Sequence, residues 1–107
     1  MQRKDNVWTE YTAGTNAGAT ATRAAVTGDR HWITNISGHT DTDSLITVKD
    51  GTTTIWETYI DVSVDGMSFH FPIPYGNLGG TRGNKVEAII AASTTDCGVS
   101  ITGYSLQ

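Results

Sequence analysis

The sequence predicts an all-β domain: an antiparallel two-sheet sandwich, jelly-roll-like, with seven or eight strands. Three observations carry this. Eighteen of the 107 residues are threonine, and a β-branched side chain that loses rotamer freedom in a helix fits a pleated sheet. Turn-forming Gly, Asp and Asn punctuate the chain roughly every 8–12 residues, the spacing of a sandwich or small barrel. From Thr54 to Val64, Trp56, Thr58, Ile60, Val62 and Val64 take one face while Glu57, Asp61 and Ser63 take the other. That period of two is one a helix could satisfy only by burying charge. No amphipathic helix longer than a turn or two is expected.

The elements follow in order. Residues 1–15 read as an N-terminal arm or a first strand, with Val7, Trp8 and Tyr11 as anchors, and residues 16–107 as a single β-sandwich domain. The small residues between Thr12 and Ala25 form a loop leading into a strand over Thr20–Val26. Gly28-Asp29 marks a turn. His31–Ser37 is a strand whose buried face is ambiguous, because Trp32 and Ile36 have the opposite parity to Ile33. Gly38–Asp43 reads as a polar loop, Ser44–Lys49 as a strand, and Asp50-Gly51 as a hairpin turn. After the Thr54–Val64 strand, Asp65-Gly66 turns the chain, and Met67, Phe69 and Phe71 alternate with Ser68 and His70. Pro72 and Pro74 cannot donate to a ladder, so the chain is irregular to about Asn84. Val86–Ile90 and Val99–Tyr104 supply the last strands, separated by a polar turn at Ser93–Asp96.

Composition narrows the function. The formal charge is −4 and only Arg3-Lys4 are adjacent cations. Nucleic-acid binding needs clustered cations to displace counterions from phosphates, so no nucleic-acid partner is expected. An acidic surface is also repelled by an anionic membrane, and no stretch approaches the ~20 apolar residues of a spanning helix. Cys97 is the single cysteine, which excludes an intrachain disulfide and a multi-cysteine zinc site. Met1–Asn6 is not followed by an apolar run, so a secretory signal is not expected and synthesis in the cytosol is the reading.

No chemical constellation emerges. His31, His39 and His70 are isolated from one another in sequence and are read as solvent-facing or satisfied in the core rather than as ligands. Asp41 and Asp43 lack the glycine and distal glutamate of a calcium loop. No serine lies in Gly-x-Ser-x-Gly. Gly79–Lys85 lacks both the Gly-Lys-Ser/Thr order of a phosphate loop and the helix that should follow. No catalytic residue, metal or cofactor is expected. The aromatics Trp8, Trp32, Trp56, Tyr59, Tyr75 and Tyr104 form either a core or a platform for stacking on sugars.

Several phrases taken in order resemble a family of small virion proteins of tailed bacteriophages. They are Arg30-His31 with the strand through Ile36, Val48-Lys49-Asp50-Gly51 followed by Ile55-Trp56, Phe71-Pro72-Ile73-Pro74, Asn84 ahead of Val86-Glu87-Ala88, and Gly103-Tyr104. The resemblance implies a β-sandwich head decoration (cement) protein or another virion component, often a trimer. The implied location is the virion, on the head surface, and the implied partner is the major capsid protein or other virion proteins. Val7, Trp8 and Tyr11 on the arm and Pro72, Ile73, Pro74, Tyr75 and Leu78 on the long loop are the candidate contacts, since they set apolar anchors on irregular backbone. The alternatives are a receptor- or carbohydrate-binding module on a tail or fibre, and a barrel metalloenzyme.

Overall fold

The computed structural model describes residues 7–15, 17–74, 76–91 and 96–107, with the backbone alone at Asp65. Eight strands and one helical turn follow in chain order: β1 (Val7–Thr15), β2 (Ala19–Arg23), β3 (Arg30–Thr40), β4 (Ser44–Asp50), β5 (Thr53–Ile60), α1 (Val62–Asp65), β6 (Ser68–Pro72), β7 (Val86–Ile90) and β8 (Asp96–Leu106). One sheet has the order β1-β8-β3-β6 and the other β2-β7-β4-β5. Every pairing is antiparallel. Successive strands alternate between the sheets except at the β4–β5 hairpin, which is the jelly-roll winding the sequence predicts. The prism measures 42 × 22 × 22 Å.

Alternation builds the core. Ile46 and Val48 of β4, Val86, Ala88 and Ile90 of β7, and Val99 and Ile101 of β8 all point inward and are fully buried. The ambiguity in β3 has a physical resolution. Its register with β8 shifts between Ile33 and Asn35, and this one-residue bulge returns Ile36 to the face of Ile33, so both are buried. Trp32 is left on the outer face.

One open choice is resolved and two boundaries differ from expectation. Residues 7–15 are not a free arm: β1 pairs with β8 along its length, from Val7↔Tyr104 to Thr15↔Asp96. Gly38–Asp43 is not all loop, because β3 runs on to Thr40, with Gly38 facing Phe69 and Val99. A Cβ on Gly38 would meet the Phe69 ring at 2.8 Å and press on the Gly98 carbonyl oxygen, so this glycine marks a close approach inside a sheet rather than a turn. The long Thr54–Val64 strand stops at Ile60. Asp61 then caps α1, its Oδ1 accepting from Ser63 N at 3.0 Å and Ser63 Oγ at 2.7 Å, while Asp43 Oδ1 accepts from Val62 N at 3.0 Å. These local bonds outcompete continued alternation, and Val64 ends 78% exposed.

The irregular stretch between β6 and β7 is strapped across one end of β3. Ile33 N donates to Leu78 O, and Gly80 N to His31 O, each at 2.8 Å. Asp50 at the hairpin ties the rest: Oδ1 accepts from Thr81 N at 2.9 Å and Asn84 Nδ2 at 3.2 Å, and Oδ2 from Thr81 Oγ1 at 2.6 Å. Burial pushes the Asp50 carboxyl up, but the hydrogen bonds from Thr81 and Asn84, with the charge of Arg30, outweigh it and hold the group below the usual carboxylate range. A depressed folded-state value means the stabilisation is present above the unfolded value of about 3.9 and is lost as pH falls through the lower folded one. Asp50→Asn is therefore expected to melt below the parent by a constant gap between about pH 5 and 7, and the gap should close below about pH 4. A gap that persisted in acid would rule this out.

Candidate functional site

The structure brings a serine and a histidine together that are far apart in sequence. His31 Nδ1 lies 2.6 Å from Ser105 Oγ, and His31 Nε2 lies 2.8 Å from the Ala24 carbonyl oxygen. A carbonyl only accepts, so Nε2 carries the proton and Nδ1 accepts from the Ser105 hydroxyl. Ser105 Oγ in turn accepts from Trp8 Nε1 at 2.8 Å, and the Trp8 and His31 rings meet edge-on at 5.7 Å. The side-chain polar atoms of Trp8, His31 and Ser105 all have partners. The third member is a backbone carbonyl where a nucleophile triad would set a carboxylate, and His31 and Ser105 are both buried. The arrangement is a polar rivet joining β1, β3 and β8, and His31 is the core-satisfied histidine that the sequence reading allows.

The remaining candidates are also accounted for by local roles. His70 is exposed on the face opposite buried Phe69. Asp41 Oδ2 accepts from Asp96 N at 3.1 Å, as Asp43 does from Val62 N, so both carboxylates serve turns. Among the described residues, no group of three or more His, Cys, Asp or Glu gathers as a metal site would require. Burial raises the pKa of the Cys97 thiol, outweighing a backbone hydrogen bond that lowers it, so the thiol is a poor nucleophile at neutral pH. The aromatics divide. Trp8 and Tyr104 are buried. Trp32 lies parallel to Tyr104 at 6.3 Å with the Arg30 guanidinium 4.2 Å above it, and Trp56 packs on Phe71 at 5.4 Å. Among the described aromatics, only Tyr11 and Tyr59 present more than half of their surface, 57% and 58%.

The proposed contact residues do not form one patch. Trp8 and Leu78 are buried, spent on the Ser105 bond and on the core, and a side chain already committed to its own core is not available to a partner. Ile73 is half-buried against the same core. Val7, Tyr11, Pro72 and Pro74 are exposed, but β1 and β6 are opposite edges of one sheet, three strand spacings or about 14 Å apart. Tyr75 lies outside the described residues.

Exposed apolar side chains recur at the end of the prism that bears the β3–β4 and β5–β6 connections. Leu45 and Tyr59 are directly opposite across β4 and β5, and Val64 and Met67 follow on α1 and the turn into β6. These four are 36%, 58%, 78% and 58% exposed. Beside them, where edge strands β5 and β6 face each other at the open side of the sandwich, lies a cleft of about 300 Å³ lined by Thr58, Tyr59, Ile60, Ser68, Phe69, His70 and Phe71. The described cations are confined to one end of the prism, where Glu10, Asp29, Asp50 and Glu87 accompany them. Arg23, Arg30, Lys49, Arg82 and Lys85, all the described Lys and Arg, belong to the end bearing the β2–β3, β4–β5 and β6–β7 connections. Asp41, Asp43, Asp61 and Asp96 belong to the end that holds the apolar corner. Sequence reading missed this surface because Val64 alternates as though buried, and nothing local says that β5 and β6 are edges.

No family model matches the chain, and no curated protein matches it. Among solved structures it is similar to the CBM36-1 domain of a multidomain xylanase from the hindgut metagenome of Trinervitermes trinervoides, at 16% identity over 89% of this chain and 75% of that one, with a TM-score of 0.38. It is also similar to TmCBM61, solved in complex with β-1,4-galactotriose, at 11% identity over 100% of this chain and 86% of that one, with a TM-score of 0.40.

Proposed function

We propose that this chain is a non-catalytic protein-docking domain, serving as a structural component of a tailed-phage virion: a head decoration protein that binds between major capsid subunits and stabilises the expanded shell. The observation that carries docking is the apolar corner of Leu45, Tyr59, Val64 and Met67 beside an open cleft. Large apolar side chains left exposed at one end of a small domain are a surface that a protein partner would cover. The resemblance of Arg30–Tyr104 to virion proteins supports the choice of partner. Anything that binds the assembled shell and not its separated subunits stabilises the shell by mass action, with no chemistry required. The trimer that the resemblance implies belongs to the same reading, and a single-chain mass by light scattering at working concentration would remove it.

The test is co-sedimentation with capsids that lack the chain. The double variant Tyr59→Ser/Met67→Ser is expected to bind at least about tenfold more weakly than the parent, as loss of two anchors should. Undiminished binding would exclude the corner.

A second reading, a receptor- or carbohydrate-binding module, is favoured by one observation: the Tyr59 ring shares the cleft with the hydroxyl-bearing Thr58 and Ser68. Against it, Leu45, Val64 and Met67 are aliphatic and offer no flat ring and no hydrogen bond to a sugar. A glycan-array signal that disappears in Tyr59→Ser, with capsid binding absent from the parent, would put this reading first.

A further inference from the structure

The backbone at the open side says what form the partner takes, given that the apolar corner docks a protein. Ala91 N donates to Leu45 O, so the odd-numbered residues of β4 turn their backbone groups toward β7. The even ones, Ser44, Ile46 and Val48, turn theirs toward Ile60, Thr58 and Trp56 of β5. It follows that the amide and carbonyl groups of Glu57 and Tyr59 point away from β4. Since β5 ends its sheet, no strand among the described residues pairs with those groups.

The same reasoning on β6 gives the opposite outcome. Thr40 N donates to Met67 O and Ile73 N to Thr34 O, so Ser68, His70 and Pro72 face outward from β3. Pro72 thus sits where its missing N–H costs no ladder bond, and it closes off a short strand. One edge of the cleft is blunted by proline, and among the described residues the other has no strand beside it. Edge strands are normally protected by proline, charge or brevity. β5 has eight residues, with Glu57 as the one charge on it.

We propose that the β5 edge takes up an extended segment of a partner protein as an added antiparallel or parallel strand, paired through the backbone of Glu57 and Tyr59. The occupant must be polypeptide, because only a strand supplies alternating donors and acceptors at the repeat of about 6.8 Å that an edge presents. Its charge is set by complementarity. Glu57 lies on the edge and Asp43 and Asp61 at the same end of the prism, whereas every described Lys and Arg belongs to the other end. The segment is therefore basic, and it carries an apolar side chain for the cleft formed by Tyr59, Phe69 and Phe71.

The test separates backbone pairing from side-chain contact. The full chain is screened against an immobilised library of randomised peptides about ten residues long. Enrichment of peptides with Lys or Arg next to an apolar residue is expected, with the Glu57 and Tyr59 amides protected from hydrogen exchange on binding. Glu57→Ala and Glu57→Pro both remove the carboxylate, but only proline removes the edge N–H. The alanine variant is expected to bind within about threefold of the parent and the proline variant at least about tenfold more weakly. Equal binding by the two, protection elsewhere, or no enrichment would overturn strand addition. A concentration-dependent doubling of mass that Glu57→Pro abolishes would assign the edge to a second copy and overturn a foreign strand. Capsid binding distinguishes this from the broader reading: loss in Tyr59→Ser/Met67→Ser but not in Glu57→Pro leaves docking standing and strand addition refuted.

Discussion

Ser105→Ala is expected to destabilise the fold by about 3 kcal/mol, which for a domain of this size lowers the melting midpoint by roughly 15 °C. The hydroxyl is one atom serving two buried groups. It accepts from Trp8 Nε1 and donates to His31 Nδ1, and alanine leaves both without a partner where water does not enter. Each stranded group costs about 1–3 kcal/mol. Trp8→Phe provides the check, since it removes the indole N–H itself. If the rivet is real, the double variant Ser105→Ala/Trp8→Phe should be less destabilised than the sum of the singles by at least about 1 kcal/mol, because one of the stranded groups is gone. Strictly additive losses in urea unfolding would mean that the two side chains contribute independently. Ser100→Ala, on half-buried Ser100 of the same strand, should change stability by no more than about 0.5 kcal/mol.

Gly103→Ala should be as damaging, for a steric reason. Gly103 is buried on β8 opposite Trp8 on one side and Ile33 on the other. A Cβ there would press on the Trp32 carbonyl oxygen and meet two atoms of the Trp8 indole at 2.8 Å. Neither neighbour can yield easily, since Trp32 O belongs to the backbone of the paired β3 and the indole is pinned to Ser105. Overpacking of this kind costs about 3 kcal/mol or more. Gly28→Ala is the contrast. Its φ of 85° strains any L residue but a Cβ finds open space, and the loss should be about 1 kcal/mol. Equal losses at the two positions, measured by denaturant midpoint, would refute the steric account.

The resemblance motifs take on a structural meaning in this fold. His31 and Asp50 hold polar joints, Pro72 stops an edge strand, and Gly103 and Tyr104 pack against Trp8 and Trp32. Their order along the chain reads as a set of joints for a jelly roll rather than as a binding surface.

How much was legible depends on the range of the interaction. Strands β4 and β7 could be read directly because alternation is a local property and nothing interrupts it. The end of β5 could not, because Val62 and Val64 keep the period while Asp61 and Asp43 satisfy the amides of a helical turn. Trp8 and Leu78 looked like free anchors because their burial depends on Ser105 and β3, remote in the chain. The His31–Ser105 pair spans 74 positions, and no spacing rule reaches that far.

Threonine content, turn residues and a period of two were enough by themselves to indicate an antiparallel β fold, a sandwich or small barrel, with no helix longer than a turn or two. Strand order was a matter for the tertiary structure alone. It left β5 and β6 as edges, set Tyr59, Phe69 and Phe71 around their cleft, and sent the described cations to the far end. The physical reason is that a side chain's direction follows from its own backbone, whereas an uncovered edge exists only once every other strand has found its neighbour.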